Sequence, residues 1–307
     1  MPRPADRLPT NVPGDWYVDR SCINCGTCRR IAPATFAERP VTPASAEPPR
    51  KRSTARAPAS EPPCTLQSPV VAQPRDAASV LRAGMALLAC PVGAIGAPSR
   101  TDLREARDTF PEPAGDGVRD VGYACRSTGG AAAWLLIRAE GNVLVDVPRY
   151  AKPLLAQVEA LGGVRTLVVT HPAGLGAHGA WARHFKAERV VHADVALPPP
   201  PPRVRPAPPP ERIEQRVASP TRLGSDLLVL PTLPGCLAVA WREEVLCAGT
   251  LLSADDAGRL RAAPAGGLGD ALAVLRHLRF SRVLPAHGTP WTGDGAAALT
   301  DLCSVPA

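Results

Sequence analysis

Three cysteines stand at a spacing of three near the start of the chain, in SCINCGTC (residues 21–28). A C-x2-C-x2-C loop is typical of iron–sulfur sites, because one short turn of backbone supplies three thiolates to the same cluster. In patterns that hold two clusters the run continues with x3-C-P, and that fourth cysteine ligates the second cluster. Ala32 occupies this position here, directly before Pro33. The loop therefore predicts three ligands of one cluster, and the fourth must lie elsewhere in the chain.

A fourth thiolate is available downstream, in LACPVGAI (residues 88–95). No second C-x2-C-x2-C precedes this segment, so a second cluster would lack most of its ligands. We predict one 4Fe–4S cluster held by Cys22, Cys25, Cys28 and Cys90. The alternative is a zinc knuckle, which typically pairs one C-x2-C with another or with two histidines. Neither pair stands beside this loop.

Histidines in the second half of the chain form another candidate site. His171 ends the apolar run VVTH, His178 follows seven residues later, and His287 lies in LPAHG. Histidines at the ends of strands are well placed to hold one or two metal ions that activate water. The placement of these histidines predicts a metal-binding site at one edge of a sheet.

Regular elements must position both sets of residues. The segment AASVLRAGMALLAC (residues 77–90) has the apolar spacing of a short helix that ends at Cys90. From residue 118 onward, β-branched apolar runs alternate with amphipathic segments, which predicts an α/β domain. His171 and His287 each follow one of the predicted strands.

Composition divides the chain into domains and linkers, and its 37 prolines are unevenly placed. Residues 39–69 are rich in Pro, Ala, Ser and Arg with almost no large apolar side chains, so we expect a disordered insertion there. Residues 99–117 are predicted to be a linker, and 198–210 a second, Pro-rich insertion. The predicted domains are therefore residues 1–98 and 118–307.

Both domains resemble known families. The first resembles the ferredoxins that carry a single 4Fe–4S cluster, on the segments CINCGTCRRIAPATF and ALLACPVGAIG. The second resembles the metallo-β-lactamase fold, on GNVLVDVPRY, GGVRTLVVTH, LLVLPTLPGC, VLCAGTLL and RVLPAHG. The fold class that these resemblances imply is an α+β ferredoxin-like module followed by an αββα metallo-β-lactamase-like sandwich.

The metal site implied by the second resemblance is incomplete. The resemblance implies a histidine where Cys236 stands and a bridging aspartate where Thr250 stands. The loop between His171 and His178 contains no carboxylate, although an anionic bridge is what holds two dications close together. Three interpretations stay open: a site without metal, a dinuclear hydrolase, or one zinc or iron ion held by His171 and His178 with Cys236 or His287.

Three functional hypotheses follow. The first is one-electron transfer between the cluster and a redox partner protein. The second is a metal-dependent hydrolase of esters or thioesters, whose cluster is structural or regulatory. The third is a non-catalytic binding scaffold.

Bulk properties narrow the expected partners and location. The net charge of +7 favours acidic partners, but no basic run is interleaved with aromatic residues, so we expect no nucleic acid. No stretch approaches ~18 uninterrupted apolar residues, so we expect no membrane association. The N-terminus lacks the apolar region of a signal peptide. Closely spaced cysteines then indicate metal ligands in a reducing cytoplasm.

Overall fold

The computed structural model describes residues 2–40, 66–197, 213–255 and 257–304. The chain divides into two compact units, Met1–Arg107 and Asp108–Ala307. Across the described ranges, no helix combines the length and the apolar character needed to cross a membrane.

The two predicted insertions fall largely outside the described residues. The segment 198–210 is not described, and neither are residues 41–65 of the predicted insertion 39–69. The edges of the latter are ordered, because Arg39–Pro40 pairs antiparallel with Leu66–Gln67. Residues 39–40 and 66–69 of the predicted insertion therefore belong to the described structure, and the prediction for residues 41–65 lies outside the described residues. Composition misses this pair because strand pairing is made by the main chain and needs no large apolar side chain.

Two short strand pairs and three α-helices form the described part of the first unit. The strands β1 and β4 pair antiparallel, and so do β2 and β3. The side chain of Asn11 joins the N-terminal segment to the second half of the unit: its Oδ1 accepts from the N–H groups of Val18 and Val70, both at 3.0 Å. The elements are β1 (Tyr17–Val18), α1 (Thr27–Ile31), β2 (Arg39–Pro40), β3 (Leu66–Gln67), α2 (Ala77–Ala89), β4 (Ile95–Gly96) and α3 (Arg104–Asp108).

The helix α2 begins and ends as its sequence requires. Asp76 accepts a hydrogen bond from the Ser79 N–H at 2.8 Å, and the Ser79 hydroxyl accepts from the Asp76 N–H at 3.2 Å. This reciprocal capping box satisfies two donors at the start of the helix. The helix stops at Ala89, since Pro91 cannot continue it. The predicted helix is confirmed, and it ends at Ala89, one residue before the predicted end at Cys90.

The predicted linker at residues 99–117 is structured over much of its length. Its first part forms α3, where Leu103 and Ala106 lie against Gly84 of α2, each 3.2 Å from where a Cβ on that glycine would stand. Its second part carries Phe110, which is buried and packs edge-on against Tyr123 at 5.7 Å between ring centroids. These few apolar side chains order a segment whose charged and proline-rich composition predicts a linker.

Two mixed sheets form the second unit. The first has seven strands in the order β11-β10-β9-β8-β7-β6-β5, with β8 to β11 parallel. The second has six strands in the order β12-β13-β14-β15-β18-β19, in which only the pair β15 and β18 is parallel. The first sheet is formed by β5 (Glu112–Pro113), β6 (Val118–Asp120), β7 (Trp134–Leu136), β8 (Val143–Val145), β9 (Thr166–Val168), β10 (Glu188–His192) and β11 (Gln215–Val217). The second is formed by β12 (Thr221–Arg222), β13 (Leu227–Pro231), β14 (Leu237–Trp241), β15 (Val245–Gly249), β18 (Arg282–Pro285) and β19 (Trp291–Thr292), with β16 (Leu252–Ala254) and β17 (Leu260–Ala262) as a separate hairpin.

The core of this unit lies between the two sheets, where inward-facing side chains from both form one buried cluster. On the outer face of the second sheet, α6 (Leu268–Leu275) and α7 (Gly295–Ser304) cover a second cluster. The crossovers of the parallel strands contain α4 (Lys152–Ala160) and α5 (His178–Phe185). The second sheet packs on the inner face of the first sheet. The helices α4 and α5 therefore cover the outer face of the first sheet. This is the αββα sandwich that the sequence predicts.

A bidentate ion pair anchors the chain just after the undescribed segment 198–212. The carboxylate of Glu214 lies 2.7 Å from Nη2 and 2.8 Å from Nε of Arg189 on β10. The hydrogen bonds from Arg189 lower the pKa of Glu214 from 4.5 to about 2. The side chain of Arg189 is 8 % exposed, so the Glu214 carboxylate compensates a largely buried positive charge.

We expect Glu214→Gln to lower the stability of the second unit at pH 7 by about 1 kcal/mol, a modest value because Glu214 itself is half-exposed. The deficit should shrink as the pH falls from 4.5 towards 2, where the wild-type carboxylate is protonated as well. Urea unfolding followed by tryptophan fluorescence measures this, since four of the five tryptophans lie in this unit. Glu188→Gln, at an exposed position, is the control. An equal deficit at pH 7 and pH 3 would contradict the interpretation.

Candidate functional site

Four cysteines line one cavity in the first unit. Cys22, Cys25 and Cys28 come from the loop and the first turn of α1, and Cys90 comes from the end of α2. Cys28 and Cys90 are buried, whereas Cys22 and Cys25 are partly exposed. The structure thus brings together the four residues that the sequence analysis selects.

Backbone conformation curls the loop around the cavity. Asn24 and Gly26 both adopt left-handed conformations, with φ of 53° and 79°. Glycine adopts this region without strain, and asparagine does so more readily than most other residues. The two turns carry Cys22, Cys25 and Cys28 to the same side of the loop, which explains the short regular spacing.

Backbone amides point at two of the sulfurs. The N–H of Asn24 donates to Cys22 Sγ at 3.5 Å, and the N–H of Ala94 donates to Cys90 Sγ at 3.3 Å. Such bonds favour a thiolate. Burial acts in the opposite direction and dominates: it raises the pKa of Cys22 to about 11, and it raises the pKa of Cys28 and Cys90 as well. Without a metal centre, these thiols therefore keep their protons at neutral pH.

The arrangement of the sulfurs fits a polynuclear cluster better than a single ion. A structural zinc site requires four ligands within about 2.3 Å of one point. Among the residues that the structure describes, no three His, Cys, Asp or Glu side chains converge in this way, the four cysteines included. The cysteines instead surround a cavity, and Ala32 lies buried where a ligand of a second cluster would stand. Their number and placement fit one 4Fe–4S cluster.

The histidines of the second unit lie at the carboxyl ends of strands. Asp146 follows β8 and His171 follows β9, its parallel neighbour, so both reach the same edge of the sheet. The Thr170 hydroxyl donates to Asp146 Oδ2 at 2.8 Å and lies 3.1 Å from His171 Nδ1. A hydroxyl that donates to the carboxylate accepts from the imidazole, which places the proton of His171 on Nδ1. Its Nε2 is buried and has no hydrogen-bond partner among the described residues.

Only part of the predicted metal set is brought together. The rings of His171 and His287 pack edge-on with centroids 6.2 Å apart. His178 is buried as the first residue of α5. Cys236 lies between β13 and β14, and its pKa is raised by burial and by the charge of Asp146. These four residues do not form a group of three or more donors around one point.

Carboxylates that could complete a metal site are engaged elsewhere. Asp146 is fully buried, accepts from both the N–H and the hydroxyl of Thr170, and its pKa is raised by burial. Asp255 accepts from the N–H groups of Ala257 and Arg259 within its own turn. Among the described residues, the donors around His171 therefore do not form a group of three that could hold one metal ion.

Sequence reasoning missed Thr170, although it selected the run VVTH that contains it. A hydroxyl next to a strand-end histidine is the signal that could have indicated its contact with Asp146. It also missed the polar side chains that surround the cysteine loop, because Ser68 falls inside the segment predicted to be disordered.

Comparison with known proteins supports the iron–sulfur assignment. Residues 18–57 match the family model described as the 4Fe-4S single cluster domain of Ferredoxin I. The prediction of a single-cluster 4Fe–4S module at the N-terminus is confirmed over this segment. No curated protein matches the chain.

Solved structures with a similar fold are distant in sequence. BJP-1, a subclass B3 metallo-β-lactamase of Bradyrhizobium japonicum, is 18 % identical over 64 % of this chain and 92 % of its own, with a TM-score of 0.40. BLEG-1, also a B3 metallo-β-lactamase, is 20 % identical over 56 % of this chain and 92 % of its own, with a TM-score of 0.42. The chemotaxis sensor ODP, described as a peroxy diiron species, is 16 % identical over 59 % of this chain and 90 % of its own, also at 0.42.

We expect the purified full-length chain to contain less than about a tenth of an equivalent of zinc, because its donors do not converge. Elemental analysis after incubation with zinc and removal of the excess measures this. The iron content of the wild type is compared with that of Cys90→Ala. The difference between the two is the iron of the cluster. One tightly held zinc ion that His171→Ala abolishes would contradict the expectation.

Proposed function

We propose that the first unit is an electron-transfer module that holds one 4Fe–4S cluster through the thiolates of Cys22, Cys25, Cys28 and Cys90. The observation that carries this proposal is the placement of all four cysteines around one cavity. When bound, such a cluster supplies reversible one-electron transfer.

The surrounding residues have defined tasks in this proposal. The N–H groups of Asn24 and Ala94 offset negative charge on the sulfurs. The apolar side chains of Val18, Val92 and Ile95 line the cavity and keep water from its inner side. Because these apolar side chains exclude water behind the ligands, water and redox-active molecules reach a bound cluster only from the opposite, exposed side.

Electrons enter and leave at the edge formed by Cys22 and Cys25, the two partly exposed cysteines. Ile23 lies between them and is 39 % exposed, although it is a large apolar residue. Leu66 is 38 % exposed, and its neighbour Gln67 donates to the Cys22 carbonyl at 3.3 Å. Exposed apolar side chains beside a redox centre are typical of a protein docking site.

The partner in this proposal is an acidic redox protein. Arg20 precedes the cysteine loop and is exposed, and the exposed Arg39 pairs in register with Gln67. Of the acidic residues near the loop, Asp19 is buried, and Glu38 is already engaged by Arg29 at 2.9 Å. The rim of the edge is therefore basic, which steers acidic partners.

For the second unit we infer a degenerate metal site and a role as a binding scaffold, rather than ester or thioester hydrolysis. The support is the engaged carboxylates of Asp146 and Asp255 together with histidines that do not converge. The buried Nε2 of His171 is left to accept a hydrogen bond from a bound molecule.

We expect Cys90→Ala to abolish the cluster, because one missing ligand opens a corner of the site. Anaerobic preparations of the wild type should contain four iron and four sulfide per chain and show visible absorption that dithionite bleaches. Cys125→Ala, which changes a partly exposed cysteine of the second unit, is the control and should behave as the wild type. A colourless wild type, or a Cys90→Ala protein with full iron, would overturn the proposal.

Replacing Ile23 by Asp should slow electron exchange with an acidic flavodoxin by roughly tenfold, through lost apolar contact and added repulsion. Reduction by dithionite, a small molecule, should change little. Tyr150→Asp is the matched control, since Tyr150 is an equally exposed apolar residue in the other unit. Stopped-flow kinetics at two salt concentrations measure the effect. Equal rates for both variants would refute this docking edge.

A further inference from the structure

Four polar side chains of the first unit form one hydrogen-bonded group, the clasp, which consists of Asn24, Arg29, Glu38 and Ser68. Nη1 of Arg29 lies 2.5 Å from Asn24 Oδ1 and 2.7 Å from Ser68 Oγ. The same nitrogen lies 2.9 Å from Glu38 Oε1. Asn24 also donates to Glu38 at 2.8 Å, and the Ser68 hydroxyl donates to Asn24 at 3.0 Å. The clasp therefore joins the cysteine loop to chain segments on both sides of residues 41–65.

One member of the clasp reaches the cluster site directly. Ser68 is 1 % exposed and lines the same cavity as the four cysteines. Its neighbour Gln67 donates to the Cys22 carbonyl at 3.3 Å. The segment that follows residue 65 thus forms one wall of the site. The clasp binds this wall through the side-chain hydroxyl of Ser68.

Arg29 is the centre of the clasp. A guanidinium is planar, always charged and able to donate in several directions, which a lysine cannot reproduce. It follows Cys28 in α1, and its Nη2 lies 3.3 Å from where a Cβ on Gly26 would stand. The side chain is therefore packed against the cysteine loop while it contacts Ser68.

We propose that Arg29 and Ser68 are positioning residues of the cluster site: through the clasp they hold the wall formed by Gln67 and Ser68 against the cysteine loop. This inference rests on the proposed function. A nearby positive charge favours the more negative, reduced state of a cluster, so the held guanidinium of Arg29 raises its reduction potential. A well-held ligand also dissociates more slowly.

The test uses the full-length holoprotein and two single variants. Arg29→Gln and Ser68→Ala should each shift the potential to a more negative value, by roughly two- to tenfold in the reduction equilibrium constant. Both should also lose iron faster to an excess of chelator. Redox titration and the rate of bleaching measure the two effects independently.

Two controls separate the clasp from general effects. Arg75→Gln removes the same charge from an exposed position of the same unit that has no part in the site, and it should leave both readouts unchanged. Arg29→Lys keeps the charge but loses the planar fork, so it should restore only part of the potential. If both residues act through one clasp, the double variant should shift no further than Arg29→Gln alone.

The outcomes distinguish this inference from the proposed function. A wild type without a cluster would refute the proposed function itself. Full iron content in every variant, with potentials and chelation rates for Arg29→Gln equal to those for Arg75→Gln, would overturn the clasp alone. Additive shifts in the double variant would show that Arg29 and Ser68 act separately and would also overturn it.

Discussion

The first unit is organised around the cost of burying four sulfurs that must lose their protons to bind metal. Desolvation and mutual repulsion raise the thiol pKa values of Cys22, Cys28 and Cys90, so the folded chain does not favour thiolates by itself. Amide donors from Asn24 and Ala94 offset part of this cost, and a bound cluster would offset the rest. The left-handed turns of the loop, the end of α2 at a Cys-Pro pair and the strand pair β1–β4 all serve to place donors and ligands at one cavity.

At the sheet edge of the second unit, buried polar side chains hydrogen-bond to one another. The buried carboxylate of Asp146 is held by two donors from Thr170, and the hydroxyl of Thr170 in turn orients His171. A buried charge with its hydrogen bonds satisfied inside the protein can persist through folding. These hydrogen bonds fix the strand-end residues Asp146, Thr170 and His171 relative to one another.

Sequence reasoning succeeded where local spacing determines structure and failed where distant backbone contacts do. The triplet spacing, the missing ligand at Ala32 and the Cys-Pro at Cys90 are local signals, and they predicted the single-cluster module that the family match confirms. Alternating apolar runs likewise predicted the sandwich. The contact of Ser68 with the cysteine loop depends on pairing across 25 undescribed residues, which composition cannot reveal. The failure of the histidines to converge depends on side-chain geometry that strand-end placement alone does not determine.

The pairing of Arg39–Pro40 with Leu66–Gln67 allows the length of the segment between them to change. The two ends of the segment between them are fixed side by side, so its length is uncoupled from the ligand geometry. Loop-closure entropy grows only slowly, by about 0.6 kcal/mol for each doubling of length. A reporter, an affinity tag or a whole foreign domain could therefore be inserted between these two strands. Its ends would connect to adjacent strands, and it would not displace Cys22 or Cys90.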